Sequence, residues 1–142
     1  MKKSKLESTF DIDFDLFGLV GNAKEYKLAW YINKEFDFDL LKQDDIRIEF
    51  SDKSSILISY YLHETDNLKV ELLQNKLLAS AADRNKFLIP ELNQFDYLLK
   101  IRDESGELKP ETITTTIKQI PIVEYVMRLN FDALKSKENL LY

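Results

Sequence analysis

The sequence FDYLLKIRDESGELKPETITTTIKQIPIVEYVMRLNF, residues 95–131, carries the pattern that decides the fold. Apolar residues alternate over residues 95–101, which predicts a strand. Pro110 then begins a helix and Pro121 ends it, because proline suits the first turn of a helix but not its interior. Apolar residues alternate again over residues 123–131 and predict a second strand.

A strand and a helix are also predicted near the start of the chain. In residues 10–16 apolar residues alternate with aspartates, the period of a strand that is buried on one face, and this strand could run on to residue 20. Asn22 is expected to be the N-cap of a helix that ends at Phe36. Trp30 is expected to pack centrally in the core, so Trp30→Ala should lower the free energy of unfolding by about 3–5 kcal/mol.

Three short apolar runs in the middle of the chain predict an antiparallel meander. They cover residues 46–50, 56–63 and 68–74, and short polar turns separate them. Such turns favour neighbouring antiparallel strands, since parallel strands need a long crossover.

Together these elements predict one α+β domain spanning residues 1–142, with residues 1–7 and 133–142 as tails that can fray. We expect two layers: a mostly antiparallel sheet of about six strands, and two helices on one of its faces. The C-terminal strand, helix and strand resemble half of a ferredoxin-like or ACT-type module. This likeness of fold carries no function.

Composition limits both the chemistry and the location of the protein. The 142 residues contain no cysteine, which excludes disulfides, thiolate nucleophiles and cysteine-ligated metals. The net charge of −5 argues against a broad nucleic-acid surface. No apolar run approaches the ~20 residues of a membrane span. We therefore expect a cytoplasmic protein with no membrane association.

Residues 89–97, Ile-Pro-Glu-Leu-Asn-Gln-Phe-Asp-Tyr, form the most specific motif of the chain. They resemble the signature of the IPExxxVDY family of small bacterial proteins, with Phe95 where the family name has valine. The likeness also covers residues 18–21, 24–30, 117–121 and 123–126. The family is of unknown function, so the resemblance implies a small cytosolic α+β protein and supplies no reaction, substrate or catalytic residue.

Within the motif, Pro90 is expected to begin a turn and Tyr97 to lie inside the core. Consecutive strand residues point to opposite faces, so Asp96 should face away from Tyr97 and the two should not share a site. Glu91 and Asp96 could form a carboxylate rim that accepts backbone amides, binds an arginine of a partner or holds a cation. We favour the interpretation that the segment is an architectural corner.

No metal, cofactor or catalytic site is predicted. Asp11, Asp13 and Asp15 fail as a calcium loop because Leu16 occupies the sixth position, where that loop needs glycine. His63 is the only histidine, and a surface or turn position is expected for it, because catalysis requires a constellation of groups. These patterns leave catalysis undecided but favour a non-catalytic protein.

Three functional hypotheses remain. We favour a non-catalytic accessory or protein-interaction domain, which binds another protein or associates with itself. The second hypothesis is a regulator that binds a small ligand or RNA, through the ACT-like half or through a basic stripe of Lys24, Lys27 and Lys34. The third is an enzyme with an acid site at Glu91 and Asp96.

Overall fold

The computed structural model describes residues 14–49, 55–75 and 94–130. Within these ranges it contains eight strands and two helices. In chain order they are β1 (Asp15–Val20), α1 (Glu25–Phe36), β2 (Leu41–Lys42), β3 (Ile46–Glu49), β4 (Ser55–Ile58), β5 (Tyr60–Glu64), β6 (Leu68–Gln74), β7 (Tyr97–Asp103), α2 (Pro110–Lys118) and β8 (Tyr125–Leu129). The predicted tails, residues 1–7 and 133–142, lie outside the described ranges.

Six of these strands form one antiparallel sheet in the order β2-β5-β6-β7-β1-β8, and β3 and β4 form a separate hairpin. β1 lies between β7 and β8 and is antiparallel to both, so β7 and β8 run parallel to each other. α2 connects them, which makes a split β-α-β unit of the ferredoxin-like kind. The predicted α+β fold is confirmed.

Both helices pack on the same face of the sheet and share one core. α1 contributes Leu28, Ala29 and Ile32 to this core, and α2 contributes Ile113 and Ile117. Each helix buries its apolar side against the apolar face of the sheet, which is the two-layer arrangement that the sequence predicts. The strand residues of the core are Phe17, Leu19, Tyr61, Val70, Leu72, Tyr97, Leu99, Ile101 and Val126.

The predicted one-sided burial of the first strand is wrong for β1. Leu16 and Phe17 point to opposite faces of the sheet, yet only 2% and 0% of their surfaces are exposed. β1 is a central strand, and on the face away from the helices the ring of Phe95 packs onto Gly18. A strand that is covered on both faces has no solvent side, so alternation in its sequence does not report burial.

α1 begins later than predicted. Its N-cap is Lys24, which has an extended backbone and no side-chain cap hydrogen bond, so Asn22 does not cap the helix. Instead, Asp96 accepts a hydrogen bond from the N–H of Gly21 and Tyr97 donates one to the carbonyl of Ala23, and these bonds hold the connection between β1 and α1. A local capping signal was therefore overridden by contacts with a strand that is distant in sequence.

The predicted position of Trp30 in the core is also wrong, because 57% of its surface is exposed. The side of α1 that faces the sheet carries Leu28, Ala29 and Ile32. An α-helix turns about 100° per residue, so Trp30 and Ile32 point about 160° apart and cannot both face the sheet. Apolar residues surround most of this helix, and packing selects the side with the smaller side chains.

Two predicted strands differ from the observed ones, the first in where it ends and the second in which side is buried. Residues 56–63 belong to two strands, β4 and β5, which separate at Ser59 and lie in different sheets. The last strand is confirmed as β8, but Val126 faces the core while Tyr125 and Met127 are exposed. α2 packs on the Val126 side of this strand, and alternation alone does not show which side a helix will cover.

The orientation of α1 can be tested with two alanine variants. Trp30→Ala should lower the free energy of unfolding by less than about 1 kcal/mol, since an exposed side chain contributes little. Ile32→Ala should lower it by about 2–5 kcal/mol, because it empties a fully buried site. Urea melts followed by circular dichroism measure both values. A larger loss for Trp30→Ala than for Ile32→Ala would contradict the observed rotation of the helix.

Candidate functional site

The second half of the motif, residues 95–97, lies against the end of β1. The ring of Phe95 packs onto Gly18, where an added Cβ would lie 2.7 Å from the ring. Gly21 is enclosed in a similar way, because a Cβ there would lie 2.5 Å from the carbonyl oxygen of Ile122. Both glycines therefore allow a close approach that no other residue would permit without rearrangement.

Asp96 and Tyr97 both fasten the β1–α1 connection, residues 21–24. The carboxylate oxygen Oδ2 of Asp96 accepts a hydrogen bond of 2.9 Å from the backbone N–H of Gly21. The hydroxyl of Tyr97 donates one of 2.6 Å to the backbone carbonyl of Ala23. In addition, the backbone N–H of Asp96 donates to the carbonyl of Leu19 over 2.9 Å. These bonds tie the start of β7 to the end of β1 and to the connection that follows it.

The predicted burial of Tyr97 is confirmed, since 7% of its surface is exposed, but the predicted separation of Asp96 from Tyr97 is wrong. Asp96 precedes the first residue of β7, so the alternation of a regular strand does not apply to it. Its carboxylate makes the amide contact that was one of the options for a carboxylate rim. Pro90 and Glu91 lie outside the described ranges, so the turn at Pro90 and the Glu91–Asp96 rim stay predictions.

Asn75 completes this arrangement, although the sequence did not indicate it. It directly follows β6 and has 0% of its surface exposed. Its side-chain amide donates to the carbonyl of Phe95 over 3.0 Å, and its backbone N–H donates to the carbonyl of Asp96 over 2.9 Å. These bonds satisfy polar groups that would be costly to bury alone. A polar residue after an apolar strand was the only signal in the sequence, and most turns share it.

The environment of Tyr97 favours its neutral form. Burial raises the pKa of the Tyr97 hydroxyl above its ordinary value, and the nearby carboxylates Glu25 and Asp96 raise it further. Because the hydroxyl donates a hydrogen bond to the carbonyl of Ala23, ionisation of Tyr97 would remove this bond. The contact therefore stabilises the fold and favours the protonated form of Tyr97, which is not a base.

A second cluster of polar side chains is buried on the sheet face away from the helices. Lys100 Nζ lies 3.3 Å from Glu71 Oε1, and the hydroxyl of Tyr60 donates to Glu71 Oε2 over 2.7 Å. Burial lowers the pKa of Lys100, and the charge of Glu71 opposes this effect. The two charges face each other across β6 and β7, so removing one partner would leave the other uncompensated, at a cost of about 3–5 kcal/mol.

The single histidine holds a loop. His63 Nδ1 accepts a hydrogen bond of 2.9 Å from the backbone N–H of Asp39, and its ring stacks on Phe38 with centroids 5.0 Å apart. His63 lies within β5 and is half-buried, so it is not a turn residue, while its partial exposure agrees with the predicted surface position. Among the described residues, no three histidine, aspartate or glutamate side chains are grouped in a way that could hold a metal ion.

One side of α1 combines exposed aromatic rings with lysines. We call this surface the α1 outer face and define it as Tyr26, Lys27, Trp30 and Lys34. Tyr26 and Trp30 are each 57% exposed, and both lysines are exposed. Tyr26, Lys27 and Lys34 are each three or four positions from Trp30, so their side chains are its neighbours on the helix surface.

Contacts between these side chains order the α1 outer face. Lys34 Nζ lies 5.3 Å from the centroid of the Trp30 ring, a cation–π geometry. Tyr31 meets the same ring edge-on, with centroids 5.0 Å apart and an interplanar angle of 85°. The indole is thus held between a cation and a second ring while much of its surface stays open to solvent.

The predicted basic stripe of Lys24, Lys27 and Lys34 is exposed throughout. Lys27 and Lys34 belong to the α1 outer face, whereas Lys24 is the N-cap of the helix. The sequence thus indicated the lysines of this surface. It did not indicate that Trp30 lies beside them, because a large apolar side chain such as that of Trp30 is usually expected in the core.

Comparisons of the sequence with models of protein families and with curated proteins gave no match. The resemblance to the IPExxxVDY family therefore stays a prediction. Among the described residues, no helix is long and apolar enough to cross a membrane.

The anchoring role of Asp96 predicts a loss of stability when its carboxylate is removed. Asp96→Ala should lower the free energy of unfolding by about 1–3 kcal/mol, because the N–H of Gly21 loses its charged acceptor. Asp96→Asn should lose less, since an amide oxygen can still accept the bond. Urea melts of both variants, with exposed Glu104→Ala as the control, measure this. Full stability of Asp96→Ala would show that the carboxylate is not needed for folding.

The raised pKa of Tyr97 predicts a loss of stability at alkaline pH. In the unfolded chain Tyr97 ionises near pH 10, while in the native protein its hydroxyl keeps its proton to higher pH. The contribution of Tyr97 to the free energy of unfolding is therefore complete below about pH 10 and declines above it. Tyr97→Phe should therefore be less stable than the wild type at pH 7 by about 0.5–1.5 kcal/mol, and the difference should shrink towards about pH 11.

Urea melts at several pH values measure this difference. Tyr125→Phe, which removes the hydroxyl of a tyrosine that is 52% exposed, is the matched control. Burial raises the pKa values of Tyr60 and Tyr61 as well, so Tyr97→Phe should remove only part of the alkaline loss. A constant difference for Tyr97→Phe would contradict the prediction.

Proposed function

We propose that this protein is a non-catalytic interaction domain that binds an acidic segment of a partner protein on the α1 outer face. The observation that carries this proposal is Trp30, the single tryptophan of the chain, which is 57% exposed in the middle of a regular helix. Leu28, Ala29 and Ile32 fill the buried side of that helix. The fold therefore does not use the largest apolar side chain of α1.

The exposed indole of Trp30 and the neighbouring ring of Tyr26 are side chains of the kind that form hot spots in protein interfaces. Tryptophan and tyrosine are enriched at protein interfaces, because they bury a large area and lose little conformational entropy. Trp30 is already held by Tyr31 and Lys34, so part of its ordering cost is met before a partner arrives. A ring in fixed orientation can be covered by a partner without a change in the helix.

The charges on α1 favour an acidic partner. Lys27 and Lys34 flank Trp30. The carboxylate of Glu25 instead accepts a hydrogen bond of 3.2 Å from Ser59, and the exposed Glu35 lies about 140° around the helix from Trp30. The α1 outer face is thus positive on a protein whose net charge is −5. A short acidic segment gains from the two lysines, while a long polyanion such as RNA is repelled by the acidic remainder of the surface.

The contacts of Asp96 support this proposal over an acid site. Its carboxylate accepts the amide of Gly21, and its backbone carbonyl accepts the amide of Asn75. These bonds are explained by the joints that connect the start of β7 to the ends of β1 and β6. This segment thus has an architectural reason for its residues, and the α1 outer face has none.

The single tryptophan reports binding directly. A short peptide in which glutamates alternate with leucines is titrated while Trp30 emission is followed, beside the same peptide with glutamines and an oligouridylate RNA. We expect a shift of the emission to shorter wavelength with the glutamate peptide only, because the indole leaves water. The shift should weaken as salt rises, since exposed charges are screened within about 10 Å at 0.1 M ionic strength.

Matched variants assign the site. Lys27→Glu combined with Lys34→Glu should abolish the shift, whereas Lys118→Glu, an exposed lysine of α2, should leave it unchanged. Equal shifts with the glutamate and glutamine peptides would overturn the acidic partner. Tighter binding of the RNA would replace the proposal with nucleic-acid binding.

A photoreactive residue tests the proposal in the native cell. It is placed at position 26, where Tyr26 lies beside Trp30, and, as a control, at position 57, because Leu57 has the same exposed fraction of 57% as Tyr26 but lies on β4. Mass spectrometry should find one crosslinked peptide rich in aspartate and glutamate from position 26 only. Crosslinks to RNA, or to the same proteins from both positions, would contradict the proposal.

A further inference from the structure

β8 is an open edge of the sheet. In the part of the chain that the structure describes, β1 is its neighbour on one side and no strand lies on the other. An exposed edge offers a row of backbone donors and acceptors to another strand. β2 is the opposite edge and has only two residues, so β8, with five, is the longer template.

The directions of the backbone groups in β8 follow from those in β1. The carbonyl of Val20 accepts a hydrogen bond from the N–H of Glu124, and the carbonyl of Leu19 accepts one from Asp96. The carbonyls of consecutive β1 residues thus point alternately to β8 and to β7. The N–H and C=O groups of Gly18 therefore point to Met127, its partner in β8. By the same alternation, the N–H and C=O groups of Val126 and Arg128 point outwards.

The side chains of β8 are not those of a protected edge. Tyr125 and Met127 are 52% and 45% exposed, and they lie on the same side of the strand. Arg128 is the only charged residue within β8, and a salt bridge of 2.8 Å to Asp15 on β1 holds its side chain. Edges that avoid pairing carry lysines, prolines or inward charges. β8 has no lysine or proline, and its one charge, on Arg128, is paired with Asp15 of its own sheet.

We propose that a second copy of this chain pairs with β8 across a two-fold axis at Met127, so that one antiparallel sheet runs through both copies. In this register Val126 of each copy lies opposite Arg128 of the other. Their outward groups then form the alternating hydrogen bonds of an antiparallel pair. Tyr125 lies opposite Leu129, and the two Met127 side chains meet on the axis, so the exposed apolar residues of one copy cover those of the other.

Charge complementarity supports this register. Glu124 directly precedes β8, and in the two-fold pairing its diagonal neighbour is Arg128 of the second copy. Diagonal neighbours are about 7–8 Å apart, within the reach of a long side chain. Each dimer thus gains two attractive contacts between Glu124 and Arg128. A five-residue strand covers less than the roughly 800 Å² per partner of a stable interface, so the dimer should dissociate on dilution.

Sedimentation equilibrium of the full chain over about 1 μM to 1 mM tests the dimer. The average mass of the wild type should rise towards twice that of the monomer. Met127→Lys and Met127→Glu should each remain monomeric, because like charges then meet on the axis, while an equimolar mixture of the two should form a heterodimer. Leu57→Lys, a change on the exposed β3–β4 hairpin, should behave as the wild type.

Other outcomes of this experiment contradict the proposal. A wild type that stays monomeric at the highest concentration would overturn it. So would a Met127→Lys variant that dimerises as the wild type does, since the contact would then lie elsewhere. Both variants replace an exposed side chain, and circular dichroism verifies that they fold. A mixture that remains monomeric would overturn the two-fold register at Met127.

Cysteine crosslinking checks the register independently, because the chain contains no cysteine of its own. Facing residues at a position without hydrogen bonds are about 4.5 Å apart at Cα, within the range that a disulfide spans. Met127→Cys should therefore crosslink to a dimer on mild oxidation. In Tyr125→Cys the two cysteines are offset by about 13 Å along the strands and should not crosslink. The reverse result would overturn this register.

Discussion

The joint between β1 and β7 is the constraint on which the rest of the structure depends. Asp96 accepts the amide of Gly21 and Tyr97 donates to the carbonyl of Ala23, so the connection after β1 is held in place and α1 begins only at Glu25. The start of a helix determines which residues face the sheet, because each further residue turns by about 100°. These contacts fix where α1 begins, and the packing of Leu28, Ala29 and Ile32 against the sheet leaves Trp30 outside.

Within the described ranges, the α1 outer face and β8 are two surfaces on which large apolar side chains stay exposed. The α1 outer face carries an indole between two lysines, and β8 carries exposed apolar side chains along an open strand. They lie on different elements and have different chemistry, since the first suits an acidic segment and the second suits an identical strand. A dimer through β8 would present two copies of the α1 outer face, which would increase the affinity for a partner that carries two acidic segments.

Much of the fold was predictable from local patterns. Alternation identified β7 and β8, and the two prolines bounded α2, which buries Ile113 and Ile117. The candidate site was only partly predictable. Spacing identified exposed lysines at positions 27 and 34, but the burial of Asn75 and the pairing of Glu71 with Lys100 depend on strands that lie far apart in sequence.

The sequence by itself determined the class of each main element, because periodicity, prolines and turn residues act within a few positions of the chain. The tertiary structure alone decided which side of an element is buried, where α1 begins and where residues 56–63 divide into two strands. Trp30 and Val126 show the reason. Each belongs to a segment with apolar residues on more than one side, and only the shape of the neighbouring elements selects the side that is removed from water.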